Sequence, residues 1–248
     1  MTLKVTAYGL SDVGLVRQNN EDVWSALPND RFYVLADGMG GHKAGEVAAR
    51  ETVNELCKII HSRLGSHVTK KNCREATLIL RKAISQVNTI IYELSRTDDM
   101  LQGMGTTLCC MYVHEAGVVY AHVGDSRIYL LQNQKLSQLT RDHSLLRDLL
   151  ELEKLSEQQA ADFIYKNIIT KAIGTEPLVE PDIGMVQAVK GDIFLMCTDG
   201  LSDLLMQSEI EEFMNQSSEV HEIAQNLVSR AKEKGGFDNI TVVVVKLE

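Results

Sequence analysis

Two stretches of this sequence are apolar almost without a break. Arg31–Ala36 (RFYVLA) and Asp192–Thr198 (DIFLMCT) each run straight into an Asp-Gly pair, Asp37-Gly38 and Asp199-Gly200. A short apolar run bounded by turn residues reads as a buried strand. Ile240–Lys246 (ITVVVVK) is a third such strand, entered from Gly235-Gly236-Phe237-Asp238-Asn239. Strands this apolar need cover, and the rest of the chain supplies it.

Ala49, Val53, Leu56, Cys57 and Ile60 make one face of a helix starting near Ala44. Ala76, Leu80, Ala83, Val87, Ile91 and Leu94 stripe a second, over about 74–94, and Val220, Ile223, Ala224, Leu227, Val228 and Ala231 a third. These stripes read as core faces that pack on sheets. Near the N-terminus, Val5 and Ala7 alternate loosely before an expected turn at Gly9. Between Thr106 and Leu139 the period shortens. TTLCCMYV, GVVYAHV, SRIYLLQ and KLSQL are β-prone runs broken at Glu115-Ala116-Gly117, Gly124-Asp125 and Asn133, which reads as an antiparallel meander. Strands in groups with helices between them predict an α+β fold with antiparallel sheet, not regular βαβ alternation. Residues 142–182 are polar and helix-prone and read as an insertion between strands. With no repeat, no low-complexity linker and three Pro in 248 residues, one domain over 1–248 is expected.

Composition narrows the function. The formal charge of −9, from 25 Lys+Arg against 34 Asp+Glu, argues against nucleic acid as a partner. No run of 18 apolar residues and no secretory leader is present, so no membrane span and a cytoplasmic location are expected. Cys57, Cys73, Cys109, Cys110 and Cys197 are odd in number with no CxxC, which predicts reduced thiols rather than disulfides or a zinc site.

The acidic residues carry the chemistry. Asp37 and Asp199 end apolar strands, Asp238 sits in a glycine turn before another, and Glu21-Asp22 opens a short strand. An unpaired buried carboxylate costs several kcal/mol, and few Lys or Arg lie nearby in sequence. Bound cations would compensate. An all-oxygen donor set favours Mg²⁺ or Mn²⁺, Gly38 lets its carbonyl approach an ion closely, and two clustered ions would activate a water for in-line displacement. A single Asp-Gly, however, is ordinarily a turn, and spacing alone leaves the turn reading and the cation reading side by side. Arg17 can bind a phosphate bidentately, or be a solvated surface arginine.

SDVGLVRQNNED (Ser11–Asp22), VLADGMGGHKAGEVAA (Val34–Ala49), GTT (Gly105–Thr107), AHVGDSRIYLL (Ala121–Leu131), LTRDHSL (Leu139–Leu145), NIITKAIG (Asn167–Gly174), CTDGLSD (Cys197–Asp203) and GGFDNITVVVV (Gly235–Val245) occur in that order. Through these eight motifs, spanning nearly the whole chain, the sequence resembles the metal-dependent Ser/Thr protein phosphatases of the type 2C (PPM) family, in their compact bacterial form. The resemblance implies a four-layer α-β-β-α sandwich, two packed antiparallel sheets flanked by helix pairs, with a dinuclear metal centre at one end. It implies that Asp37 bridges two ions, that Asp199 and Asp238 complete one site, and that the Gly38 carbonyl completes the other. Asp22, with Glu21, would act there through water, and Asn239 would stand behind the ligands. It assigns Asp125 with Asp199 to a third ion, Arg17 to the phosphoryl oxygens, and 142–182 to a flap beside the site.

The activity implied is hydrolysis of phosphoserine and phosphothreonine monoesters by a water bridging two ions, Mg²⁺ or Mn²⁺. The implied partners are phosphorylated proteins and a bacterial Ser/Thr kinase, with the chain acting as a monomer. Met39 stands where animal relatives have a proton-donating His, so the donor would be a metal-bound water or, less favoured, His42. Two other classes are weighed against this one. A silent phosphoprotein-binding module would usually have lost a ligand Asp. A nucleotide or diester hydrolase fits poorly with an acidic chain lacking aromatic–basic stretches.

Overall fold

The computed structural model describes residues 3–27, 29, 31–40, 44–64, 72–155, 159, 163, 165 and 168–248. Its strands and helices follow in order as β1 (Val5–Asp12), β2 (Asp22–Leu27), β3 (Phe32–Met39), α1 (Ala44–Leu64), α2 (Cys73–Leu94), β4 (Gly105–Thr106), β5 (Leu108–His114), β6 (Gly117–Val123), β7 (Arg127–Gln132), β8 (Lys135–Gln138), α3 (Leu145–Glu151), β9 (Asp182–Val186), β10 (Ile193–Cys197), α4 (Asp199–Ser202), α5 (Gln207–Gln216), α6 (Val220–Glu233) and β11 (Ile240–Leu247). One sheet runs β1-β11-β10-β7-β8 and the other β2-β3-β5-β6-β9, with β4 paired to the end of β3. Every pairing is antiparallel.

The side-chain parity along β3 explains the unbroken apolar runs. Phe32, Val34 and Ala36 pack with Val53, Leu56, Leu80 and Val87 of α1 and α2. Tyr33 and Leu35 point the other way and meet Phe194, Met196, Val243 and Val245 of the opposite sheet. On the far side, Leu195, Val242 and Val244 pack with Ile210, Met214, Ile223 and Leu227 of α5 and α6. Each central strand is thus buried on both faces, and the order is helices, sheet, sheet, helices. Each such Val, Leu or Phe contributes about 1.5–3 kcal/mol by its burial. Local signals set the helix starts: Asn72 Oδ1 accepts the Glu75 N–H at 3.0 Å and caps α2. No helix among the described residues is long and apolar enough to cross a membrane.

Two expectations change. Gly9 does not turn the chain; β1 runs through it because the Trp24 indole lies against the space a Cβ would fill. The meander is split, β5–β6 in one sheet and β7–β8 in the other, so the Gly124–Ser126 turn crosses between sheets. The proposed insertion begins with α3, capped by Ser144. Much of its middle, including most of residues 161–166, lies outside the described residues.

Candidate metal centre

Register places the carboxylates. Asp22 at the start of β2 pairs directly with Asp37 near the end of β3. Both share the parity of Trp24 and Leu35, whose side chains face the gap between the sheets. Like charges directly opposite on one face are destabilising, so this pair would be selected against without compensation. Asp199 opens α4 beyond the end of β10, Asp238 lies just before β11, and Asp125 sits in the turn that crosses from β6 to β7. The strand ends that carry them all lie at the same end of the sandwich.

These groups are a single electrostatic unit with Asp37 as its hub. Asp37 is half-buried; desolvation holds its carboxyl well above the usual range, and the charges of Asp22, Asp199, Asp125 and Asp238 all push the same way. Burial first, then neighbouring carboxylates, raises Asp22 to about 7, Asp125 to about 7 and Asp199 to about 6. Asp22 Oδ1 and Asp125 Oδ1 are buried with no hydrogen-bond partner. Buried polar atoms are ordinarily satisfied, and buried anions are paired or coordinate metals. The orphaned oxygens, the mutual repulsion and the hard oxygen donors together fit divalent cations.

The surrounding scaffold is stiff. The Asp37 N–H donates to Thr107 Oγ1 at 3.0 Å, while Thr106 Oγ1 and the Thr107 N–H donate to the Asp37 carbonyl at 2.7 and 2.8 Å. A Cβ on Gly38 would collide with the Gly45 carbonyl, so only glycine lets β3 and the start of α1 approach this closely. Glu21 hands its carbonyl to the Gly38 N–H at 3.1 Å, and its carboxylate lies over Gly45. Asn239 holds three points of the β1–β2 connection at once. Its Oδ1 accepts the Glu21 N–H at 2.8 Å, and its Nδ2 donates to the Val13 and Asn19 carbonyls at 3.1 and 2.8 Å. Arg17 Nη2 donates to Asp238 Oδ2 at 2.7 Å, which sets a half-exposed guanidinium at the rim.

Two acidic or polar residues escaped the sequence reading. Asp203 lies four residues after Asp199, one helical turn on, and its charge raises both Asp199 and Asp125. Together with Asp125, Asp199, Ser202 and Arg127 it lines a cavity of about 70 Å³. The i, i+4 spacing was the available signal. Thr198, read only as the end of a strand, donates its hydroxyl to Asp22. Met39 pairs with Gly105 across β4, and a thioether has no proton to donate. His42 lies outside the described residues.

Two stacked antiparallel sheets between helix layers thus gather carboxylates where the strands end, a donor set suited to hard divalent cations. The comparisons with known proteins are specific. The sequence profile of Protein phosphatase 2C matches residues 11–234. The Listeria monocytogenes serine/threonine phosphatase stp is 38% identical over 239 residues, 95% of this chain and 93% of that protein. The crystal structure of the Mycobacterium tuberculosis serine/threonine phosphatase PstP/Ppp superposes with a TM-score of 0.89 at 36% identity, covering 98% of this chain and 99% of that one. The catalytic domain of PstP in complex with two manganese ions superposes at 0.84 with 35% identity, covering 99% of each chain. The chain belongs to the protein phosphatase 2C family.

Proposed function

We propose that the chain is a Mg²⁺- or Mn²⁺-dependent phosphatase that hydrolyses phosphoserine and phosphothreonine monoesters in proteins, with Asp37 shared between two ions. In this reading Asp199 and Asp238 hold one ion. The Gly38 carbonyl, with Asp22 and Glu21 acting through water, holds the other, and Asp125 with Asp199 takes a third. The carrying observation is the desolvated, mutually repelling carboxylate cluster around Asp37, in which Asp22 and Asp125 each keep a buried oxygen with no partner.

Bound there, hard divalent ions lower the pKa of water and neutralise phosphoryl charge. The chain's own residues do the rest. Three hydrogen bonds between its backbone and Thr106 and Thr107 fix the main chain that carries the Asp37 carboxylate. Arg17 has five N–H donors, of which one is shown engaged by Asp238, and it offers the others to phosphoryl oxygens. Met39 cannot protonate the leaving alkoxide, so that proton comes from water. No cysteine nucleophile is needed: Cys109, Cys110 and Cys197 are fully buried and their thiols are pushed up, Cys110 and Cys197 to about 12. A phosphoester in a protein presupposes a kinase that made it, so a Ser/Thr kinase is the implied counterpart, and we place both in the cytoplasm.

The test compares phosphate release from a phosphoserine or phosphothreonine peptide, a nucleotide and a phosphodiester, each with Mn²⁺ and with EDTA. Mn²⁺-dependent release confined to the phosphopeptide is expected. No release from it under Mn²⁺ refutes the reading.

A further inference from the structure

A second cluster of titratable groups lies at the base of the 142–182 segment. His122 and His143 are buried, 2% and 1% exposed, and their rings stack with centroids 4.6 Å apart and planes 11° from parallel. Asp182 and Lys171 close the cluster. Asp182 Oδ2 lies 3.4 Å from His143 Nε2, and Lys171 Nζ lies 3.4 Å from both that nitrogen and Asp182 Oδ1. Two histidines and a carboxylate within reach of one another could hold a metal. The geometry disfavours it. Lone pairs lie in the ring planes, and two nearly parallel stacked planes do not converge on one ion. The Lys171 ammonium already supplies a cation there.

The cluster does something else. The Gly124 N–H donates to His143 Nδ1 at 3.1 Å, and the His143 N–H donates back to the Gly124 carbonyl at 3.0 Å. Nδ1 is therefore the bare nitrogen, and Nε2 carries the hydrogen that faces Asp182. His122 Nε2 donates to the Arg141 carbonyl at 2.7 Å, which fixes the ring stacked on His143. The two ends of the segment also join at this point. The Thr170 N–H donates to the His143 carbonyl at 2.8 Å, and the Leu145 N–H to the Ile168 carbonyl at 2.8 Å.

Gly124 immediately precedes Asp125. It has φ +102, and a Cβ there would lie 2.7 Å from Thr107 Cγ2. The turn is thus wedged between His143 on one side and Thr107 on the other, and Thr107 is the residue that holds the Asp37 N–H. We propose that His143 is a positioning residue: anchored where both ends of the 142–182 segment meet, it clamps Gly124 by two hydrogen bonds and so holds the Asp125 carboxylate in the acidic centre. Burial, with His122 and Lys171 beside it, pushes the His143 imidazole down to about 4, so it stays a neutral acceptor over the working pH range. The inference that this matters for turnover rests on the phosphatase reading; the clamp itself does not.

The variants His143→Ala and His143→Asn separate the clamp from simple packing. Alanine removes the acceptor, whereas the asparagine Oδ1 can occupy the place of Nδ1. Amide hydrogen exchange at Gly124 is measured in metal-free protein, and kcat and KM on a phosphopeptide with Mn²⁺. His143→Ala is expected to speed Gly124 exchange at least tenfold and to lower kcat about tenfold with KM within twofold. His143→Asn is expected to recover most of both. Gly124 exchange unchanged in His143→Ala overturns the clamp. So does an equal loss in both variants, the signature of mere packing. Wild-type protein with no Mn²⁺-dependent turnover but the expected exchange pattern leaves the clamp standing and removes the phosphatase reading instead.

Discussion

The Thr198 hydroxyl donates to Asp22 Oδ2 at 2.9 Å and joins the two sheets at the end where the carboxylates collect. Thr198 follows β10 of one sheet, and Asp22 opens β2 of the other. The direction of the bond is set elsewhere: Thr198 Oγ1 accepts the Thr241 N–H at 3.0 Å, which leaves its own hydrogen for Asp22. Replacing Thr198 by Val therefore strips two buried groups of partners. A buried unsatisfied group costs about 1–3 kcal/mol, so Thr198→Val should lower the stability of metal-free protein by at least that, and Thr198→Ser by much less. Urea unfolding at pH 7.5 decides. Equal stability of the Val and Ser variants would show that the bond carries no weight.

How far the sequence anticipates this site depends on the range of the contact. Asp37, Asp199 and Asp238 were legible because an apolar strand running into a carboxylate is a local conflict. Asp22 was legible as the start of a strand, yet its pairing with Asp37 is a register, and its bond to Thr198 spans 176 residues. No local pattern encodes either. The same limit hid His143, whose partner Gly124 lies 19 residues away in another element. Gly9 misled in the opposite sense: a glycine within a strand read as a turn, but it makes room for Trp24. The α+β class with antiparallel sheet was legible from helix stripes and unbroken strands, and the four layers came from the family resemblance, whereas the crossing of the chain between sheets at Gly124 was legible in neither.

The pH dependence of stability follows from the carboxyl cluster. An unfolded Asp titrates near 3.9, while folded Asp22 and Asp125 titrate at about 7 and Asp199 at about 6. Between those values the folded chain keeps protons that the unfolded chain has released, so stability falls as pH rises. His122 and His143, lowered by burial, act oppositely below the ordinary His value near 6.5. The window from about 6.5 to 8 isolates the carboxylates. Melting temperature in EDTA should drop across it, and Mn²⁺ should remove the drop by taking the place of the protons. A flat profile in EDTA contradicts the assigned shifts.

Arg17 should act mainly in binding. Its guanidinium sits at the rim, paired with Asp238 and half exposed, where it can meet a phosphoryl group before any bond changes. A charge-assisted hydrogen bond contributes about 1.5–3 kcal/mol, so Arg17→Ala should raise KM by roughly tenfold or more with kcat little changed. Steady-state kinetics on a phosphopeptide separates the two. A fall confined to kcat instead assigns Arg17 to the transition state.

The cysteines should be inert. Cys109, Cys110 and Cys197 are wholly buried with raised thiols, and burial also raises Cys57 and Cys73. The thiolate is the reactive form. Folded protein treated with iodoacetamide at pH 7.5 should keep its full Mn²⁺-dependent turnover, and rapid inactivation would place a thiol in the reaction after all.

Asp37→Asn should separate stability from function. The wild-type carboxylate is desolvated and repelled by Asp22, Asp199, Asp125 and Asp238 at once. Asparagine keeps its shape and one oxygen while removing the charge at the hub. In metal-free protein at pH 8 that relieves repulsion, so the variant should melt higher than wild type. With Mn²⁺ the order should reverse, because the proposed shared ligand has lost its charge and ions bind it weakly. Turnover should fall at least about a hundredfold, the consequence of losing ~3 kcal/mol of charge stabilisation. Paired melts with EDTA and Mn²⁺ test this without relying on activity. If Asp37→Asn keeps the wild-type Mn²⁺ shift, Asp37 is not the shared ligand, and the cluster's repulsion must be relieved by ions held on the other carboxylates.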